Sequence, residues 1–135
     1  MSDTYLGFDA GAKRLGIAVG EAITGHARAL SVLDCDQGIP DWPALESLIR
    51  EWRPRALIVG IPRHADGSAS HSTRLAERFA GELARRTGCS VHRIDEHLSS
   101  HEARSELRGR GHPAKVIDAE AARIILETWL SEQSP

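Results

Sequence analysis

Tyr5-Leu6-Gly7-Phe8-Asp9-Ala10-Gly11-Ala12-Lys13-Arg14-Leu15-Gly16-Ile17-Ala18-Val19 organises the rest of the chain. An apolar run ends on a carboxylate, turns through a glycine and two bases, and resumes as a second apolar run. This pattern predicts a β-hairpin with an acid at its tip. Gly11 supplies flexible backbone for the turn, so Asp9 sits where a strand leaves the sheet. Two readings of Asp9 are open: a turn residue bonding its own backbone, or an acid placed at a strand end for chemistry. The rest of the chain decides between them.

Outward from the hairpin the elements alternate. Ala27 to Leu33 reads as a third strand, and Asp34 to Pro40 as a polar loop containing Gly38. Asp41 is placed to cap a helix with Pro43 in its first turn. Trp42, Leu45, Leu48, Ile49 and Trp52 recur at helical spacing until Pro54 stops the helix. The unbroken apolar run Ala56 to Ile61 has the character of a strand buried on both faces. Pro62 to Ser70 is a loop carrying Asp66-Gly67. A helix from Ser72 to Arg86 follows, with a stripe of Leu75, Ala76, Phe79, Ala80 and Leu83, ended by Gly88. Val91 to Ile94 is a short strand closing on Asp95-Glu96. Ser99-Ser100-His101-Glu102 has the form of a capping box opening a helix to Leu107. Arg108-Gly109-Arg110-Gly111-His112 is a basic loop, and Pro113 opens a last helix to Leu130.

The expectation is an α/β fold built on a mixed five-stranded sheet flanked by helices. The first three strands form an antiparallel meander, and the fourth and fifth run parallel through crossover helices. The chain of 135 residues, read as a single domain over 1–135, is long enough for a real core. Its 41% hydrophobic and 27% charged residues are ordinary for a globular protein. No apolar run approaches membrane-spanning length. Met1-Ser2-Asp3-Thr4 lacks the basic flank and apolar core of a secretory signal. Cys35 and Cys89 read as reduced thiols, with no CxxC pattern, so a cytoplasmic protein is expected. A net charge of −2 argues against a general nucleic-acid coat. It does not exclude a nuclease, whose own acids lower the sum while a local basic patch does the binding.

The last helix carries an acid on its inward stripe. Asp118, Ala121, Ala122, Ile125 and Trp129 share one face, while Glu120, Arg123, Glu127 and Ser131 share the polar one. Asp118 is either an Asp near a helix N-terminus, favoured by the dipole, or a buried carboxylate that needs a partner or a metal. Ligands of such sheets lie outside the carboxyl ends of the parallel strands. Asp9, Glu96 and Asp118 can therefore meet on one rim. Three converging carboxylates are hard oxygen ligands suited to Mg²⁺ or Mn²⁺. A pair of such ions serves phosphodiester hydrolysis by activating water and stabilising the leaving oxygen. Strand alternation sends Asp95 and Glu96 to opposite sides, which favours Glu96 as ligand and leaves Asp95 auxiliary.

Positive groups surround this set. Lys13 and Arg14 stand beside Asp9, and Arg63 and His64 follow the buried strand. Arg104, Arg108, Arg110 and Lys115 flank the glycine-punctuated loop before Asp118. Such a loop either clamps phosphates or is a solvated surface segment. Trp42 and Trp52 fit the apolar helix face and read as core rather than as stacking platforms for bases. His97 and His101 are four apart, but a cap at Ser99 leaves His97 outside the helix, against a zinc pair.

Asp9-x-Gly11-x-Lys13-Arg14-x-Gly16-x-Ala18, Gly60-Ile61-Pro62 with Asp66-Gly67-Ser68, Asp95-Glu96 before Leu98, and Lys115-x-x-Asp118-x-x-Ala121 together resemble the YqgF (RuvX) family. The likeness spans residues 4 to 130, with four motifs in order at matching spacing. It implies an RNase H-like fold and a bacterial cytoplasmic protein related to Holliday-junction resolvases. It also implies a nuclease of pre-16S rRNA, with Asp9, Glu96 and Asp118 as the family-style catalytic acids. Ala10 stands where the family often has an aromatic residue, and Gly20-Glu21 where Ser-Asp is commoner. His97-Leu98-Ser99-Ser100 replaces Arg-Leu-Thr-Thr, so a phosphate contact implied there falls to His97 or Arg104.

The function expected is a metal-dependent endonuclease on structured RNA, trimming the 5′ end of the small-subunit rRNA precursor. The alternatives are a resolvase of branched DNA and a non-catalytic nucleic-acid-binding module. No membrane partner is expected. The oligomeric state expected is a monomer or weak dimer, since no segment declares a dimer face. An actin-like ATPase also begins Asp-x-Gly, but the chain is too short for the second lobe that closes around ATP.

Overall fold

A computed structural model describes residues 3–64, 66–96, 109–111 and 113–133. The expected capping box at Ser99, its helix to Leu107, and Arg104, Arg108, His97 and His101 lie outside these residues. The described chain forms strands β1 (Thr4–Ala10), β2 (Arg14–Glu21), β3 (His26–Asp36) and β4 (Ile39–Pro40). Helix α1 (Trp42–Trp52), strand β5 (Ala56–Pro62), helix α2 (His71–Thr87), strand β6 (Val91–Glu96) and helix α3 (Ala114–Glu132) follow.

The sheet has six strands in the order β4-β3-β2-β1-β5-β6. β1, β2 and β3 are the expected antiparallel meander, and β5 and β6 extend the sheet in parallel beside β1. The expected loop from Asp34 to Pro40 is in fact mostly strand. β3 runs on to Asp36, turns through Gln37 and Gly38, and pairs back with the two residues of β4. Both turn residues have positive φ, 51° and 84°, the backbone of a tight β-hairpin. Asp34 and Asp36 hid the strand because they alternate outward while Leu33 and Cys35 pack on the core.

Alternation along the strands divides the interior into two layers. Leu6, Phe8, Leu15, Ile17, Val19, Leu57, Val59 and Ile61 face α1 and α2, where Leu45, Ile49, Phe79 and Leu83 meet them. Trp42 and Trp52 pack half-buried on this layer, as read from sequence. Residues of opposite parity, among them Ala18, Ala56 and Ile58, face α3 and its Ala122, Ile125, Leu126 and Leu130. The central strands are thus buried on both sides, which is why β5 reads as continuous apolar sequence.

α3 lies close because the α3-facing positions include Gly7, Gly16, Gly20 and Gly60. A Cβ at Gly16 would stand 2.1 Å from the Asp118 carbonyl oxygen, and one at Gly7 2.7 Å from Leu126 Cβ. The helix ends follow sequence signals. Asp41 caps α1 by accepting from the Ala44 N–H, and Gly88 ends α2 in the left-handed conformation. Ser70 and Thr73 form a reciprocal capping box at the start of α2, two residues before the start expected from periodicity alone. No helix among the described residues is long and apolar enough to cross a membrane.

Candidate active site

Asp9 is not a turn residue. It lies within β1, paired with Gly16 of β2, and is only 4% exposed. Gly11 does not adopt a left-handed backbone either. Its N–H donates to the Arg14 carbonyl at 3.0 Å, and a Cβ there would stand 3.0 Å from that same oxygen. Close approach, rather than unusual dihedrals, is what position 11 requires. Lys13 and Ala12 at the tip are tied down by β3 and its turn, through Cys35 N–H to the Lys13 carbonyl and Gly38 N–H to the Ala12 carbonyl.

Glu96 ends β6, opposite Pro62 of β5, and is 7% exposed. Its parity is that of His92 and Ile94, which pack toward Trp129 of α3 and the α3 layer. Asp9 shares the parity of Gly7, where a Cβ would stand 2.7 Å from Leu126 Cβ. Both carboxylates therefore occupy the α3 face, toward the carboxyl ends of parallel neighbours. Between them lies Gly60, one residue beyond the Phe8–Val59 pair. A Cβ at Gly60 would meet Ile125 Cδ1 at 2.5 Å and Glu96 Cγ at 3.1 Å, so glycine is what lets these two side chains pack onto the strand between the acids.

Asp118 stands one turn into α3, over Gly16, with its backbone against the strand that pairs with Asp9. Its Oδ2 accepts from Arg14 Nε at 2.6 Å, in a half-buried ion pair spanning 104 residues of sequence. Arg14 was expected to lean toward a phosphate backbone; here its guanidinium instead serves the carboxylate of α3. Asp95 points to the other side of the sheet from Glu96. It is exposed and pairs with Arg63 Nε at 3.1 Å, so it stands apart from Asp9 and Glu96.

The remaining expected cations lie on the rim. Lys13, His64, Arg110 and Lys115 are exposed, and Arg63 is half-buried against Asp95. His64 belongs to a turn in which its carbonyl accepts from Gly67 and its N–H donates to Ser68. Asp66 holds that turn by accepting from the Ser68 N–H and hydroxyl, which lowers its carboxyl below the ordinary value.

The donors fit a hard divalent cation in kind: carboxylate oxygens, two of them buried, on one side of the sheet. Among the described residues, no three acidic, histidine or cysteine side chains are gathered closely enough to surround an ion. Asp118 is engaged by Arg14. Thr73 is a buried polar contact at the edge of the site that the sequence reading does not name. Its hydroxyl donates to the Pro62 carbonyl, locking the start of α2 to the strand end beside Glu96. The Ser70-x-x-Thr73 spacing is the signal that could have found it.

Comparison with known proteins places this geometry. Residues 3–132 match the family described as "RuvX: Holliday junction resolvase". A protein of Azotobacter vinelandii named "Putative pre-16S rRNA nuclease" is 46% identical over 132 residues, covering 95% of this chain and 93% of its own. One of Pseudomonas paraeruginosa with the same name is 43% identical over 131 residues, covering 94% and 91%. Among solved structures, Thermus thermophilus RuvC in complex with a Holliday junction substrate superposes with TM-score 0.57 at 18% identity, covering 98% of this chain and 96% of its own. Fowlpox virus resolvase bound to junction DNA gives 0.58 at 10%, covering 98% and 99%. These two show the fold, a resolvase-type mixed sheet with helices on both faces. With nearly the whole length matched by the family and by relatives above 40% identity, the chain belongs to the RuvX (YqgF) family.

Proposed function

We propose that this protein is a divalent-metal-dependent endonuclease that hydrolyses phosphodiester bonds in structured RNA, acting in the cytoplasm on the small-subunit rRNA precursor. The observation that carries the reading is the pair of buried carboxylates, Asp9 and Glu96, on the α3 face of the sheet with Asp118 above them. Burying acids in a core is unfavourable without a cation to offset it, and a protein that only bound phosphate would gain nothing from acids directed at it. The names of the relatives from Azotobacter and Pseudomonas support the choice of precursor rRNA.

Asp9, Glu96 and Asp118 would hold Mg²⁺ or Mn²⁺, while Asp95, on the other side of the sheet and paired with Arg63, stands outside that set. The chemistry such ions supply when bound is activation of water and stabilisation of the leaving oxygen. Arg14 holds the Asp118 carboxylate toward the hairpin through their 2.6 Å ion pair. With Asp118 on a metal, the Arg14 guanidinium would stand at the rim as a phosphate ligand. Lys13, Arg63, His64, Arg110 and Lys115, with Arg104 and Arg108, supply the remaining phosphate contacts and orient the backbone.

The family description favours a second reading, hydrolysis of branched DNA. Purified protein with Mn²⁺, offered precursor rRNA and a four-way DNA junction, separates the two. Cleavage of the RNA alone is expected, from a monomer or weak dimer. Asp9→Asn and Asp118→Asn should each reduce cleavage to background with an unchanged circular-dichroism spectrum. Full activity in both variants would sink the carboxylate mechanism.

A further inference from the structure

On the face of the sheet opposite α3, the C-terminal ends of α1 and α2 enclose a cleft of about 590 Å³. Ile49, Pro54 and Cys89 give it apolar walls, and Arg50, Arg53 and Arg86 reach into its lining. Glu46 is the one acid of the lining, and it is already 3.6 Å from Arg86. Arg86 also donates from Nε to Glu82 at 3.0 Å and lies 4.6 Å over the ring of Trp42, which fixes its guanidinium at the edge of the cleft. Among the described residues, no carboxylate stands within ion-pair distance of Arg50 or Arg53. Arg53 holds the left-handed backbone, φ 47°, at the C-cap of α1, where glycine is the residue that fits without strain.

A helix dipole favours basic residues in a last turn, and this accounts for Arg50 and Arg86 one at a time. It does not call for them to ring one cavity. Nor does it call for an arginine in a conformation that glycine adopts more readily. From this we infer that the cleft is a second phosphate-binding site, which takes a nucleotide unit of single-stranded RNA. The unpaired guanidiniums receive phosphate oxygens in bidentate fashion. The volume suits one nucleotide, and the apolar walls receive its sugar and base. The cleft sits at the amino ends of β5 and β6, whereas the acids sit toward their carboxyl ends, roughly 20 Å away along the strands. A strand held here is an anchor for substrate, distinct from the cleaved segment. The choice of RNA rests on the function proposed above; the phosphate site itself does not.

The test is binding of a fluorescein-labelled single-stranded RNA 12-mer in EDTA, read by anisotropy, so that failure of the nuclease reading leaves it interpretable. Arg50→Ala with Arg53→Ala should weaken binding about ten-fold and lower the slope against salt by roughly 1.4, the equivalent of two single-strand phosphates. Arg53→Gly should raise the melting temperature yet weaken binding, a combination that a purely structural arginine would not give. This variant also answers the question if the double variant does not fold. Adenosine monophosphate that displaces the RNA in an Arg53-dependent manner would support the site with a free nucleotide as its occupant. Unchanged RNA binding in a folded variant overturns the proposal. So does poly-glutamate binding equally well with the same dependence on the arginines, which would indicate an acidic protein partner.

Discussion

Arg14 and Asp118 show how one side chain's role depends on another that sequence places far away. Both carry part of a recognisable motif, and each reads separately as a ligand for something outside the protein. In the fold they are ligands for each other, at 2.6 Å. Asp95 and Arg63 repeat the pattern. Alternation correctly separates Asp95 from Glu96, but it does not name the arginine that takes Asp95. Residue-scale electrostatics also sets an acid limit. Glu82 accepts from Arg85 and Arg86, and these hydrogen bonds push its carboxyl down from the usual 4.5 to about 2. A depressed carboxyl contributes stability that is fully present above its unfolded value and is lost as pH falls through the folded one. Urea unfolding of the wild type should therefore lose a small increment between about pH 4.5 and 2. Glu82→Gln should lose less over that window. The increment is small because the Glu82 side chain is 32% exposed and solvent screens it.

At the scale of elements, the glycines facing α3 set the distance between helix and sheet. Sequence reasoning valued Gly11 and Gly16 as turn and motif residues. Tertiary packing assigns Gly16 a different task, admitting the α3 backbone at Asp118. A methyl group there meets a carbonyl oxygen at 2.1 Å, and backbone cannot yield as a side-chain tip can. Gly16→Ala should cost on the order of 3 kcal/mol, the upper range for overpacking, and should lift the start of α3. Thermal unfolding measures the first effect, and weakened Mn²⁺ binding measures the second. The polar face of α3 was legible without coordinates. Arg123 pairs with Glu120 and Glu127, at the i,i+3 and i,i+4 spacings visible in sequence. Its link to the sheet was not: Glu127 also accepts from the Ala27 N–H on β3. The short β4 was missed because two residues carry no periodicity, and only the partner strand makes them a strand.

For the whole molecule, two layers of core answer to different needs. Phe8 lies in the α1–α2 layer against Phe79, and Leu126 in the α3 layer that carries Asp118. Phe8→Ala should destabilise by about 3–5 kcal/mol and Leu126→Ala by about 2–5 kcal/mol. Cleavage per folded molecule, measured below the unfolding transition, should survive the first and fall in the second, because only the second loosens the helix over the acids. Equal activity in both would show that α3 is not what holds the site. Readable from the residues alone were the alternating elements, the meander and crossovers, the capped helices, and three acids on elements that can share a rim. These follow from local periodicity and capping chemistry, which act within a few residues. Only the tertiary structure decided that Asp9 is buried inside its strand, that Arg14 holds Asp118, and that glycines on two strands admit α3. It also brought the ends of two helices together around one arginine-lined cleft. Each of these depends on which face of one element meets another, and strand register and helix packing settle that across the whole chain.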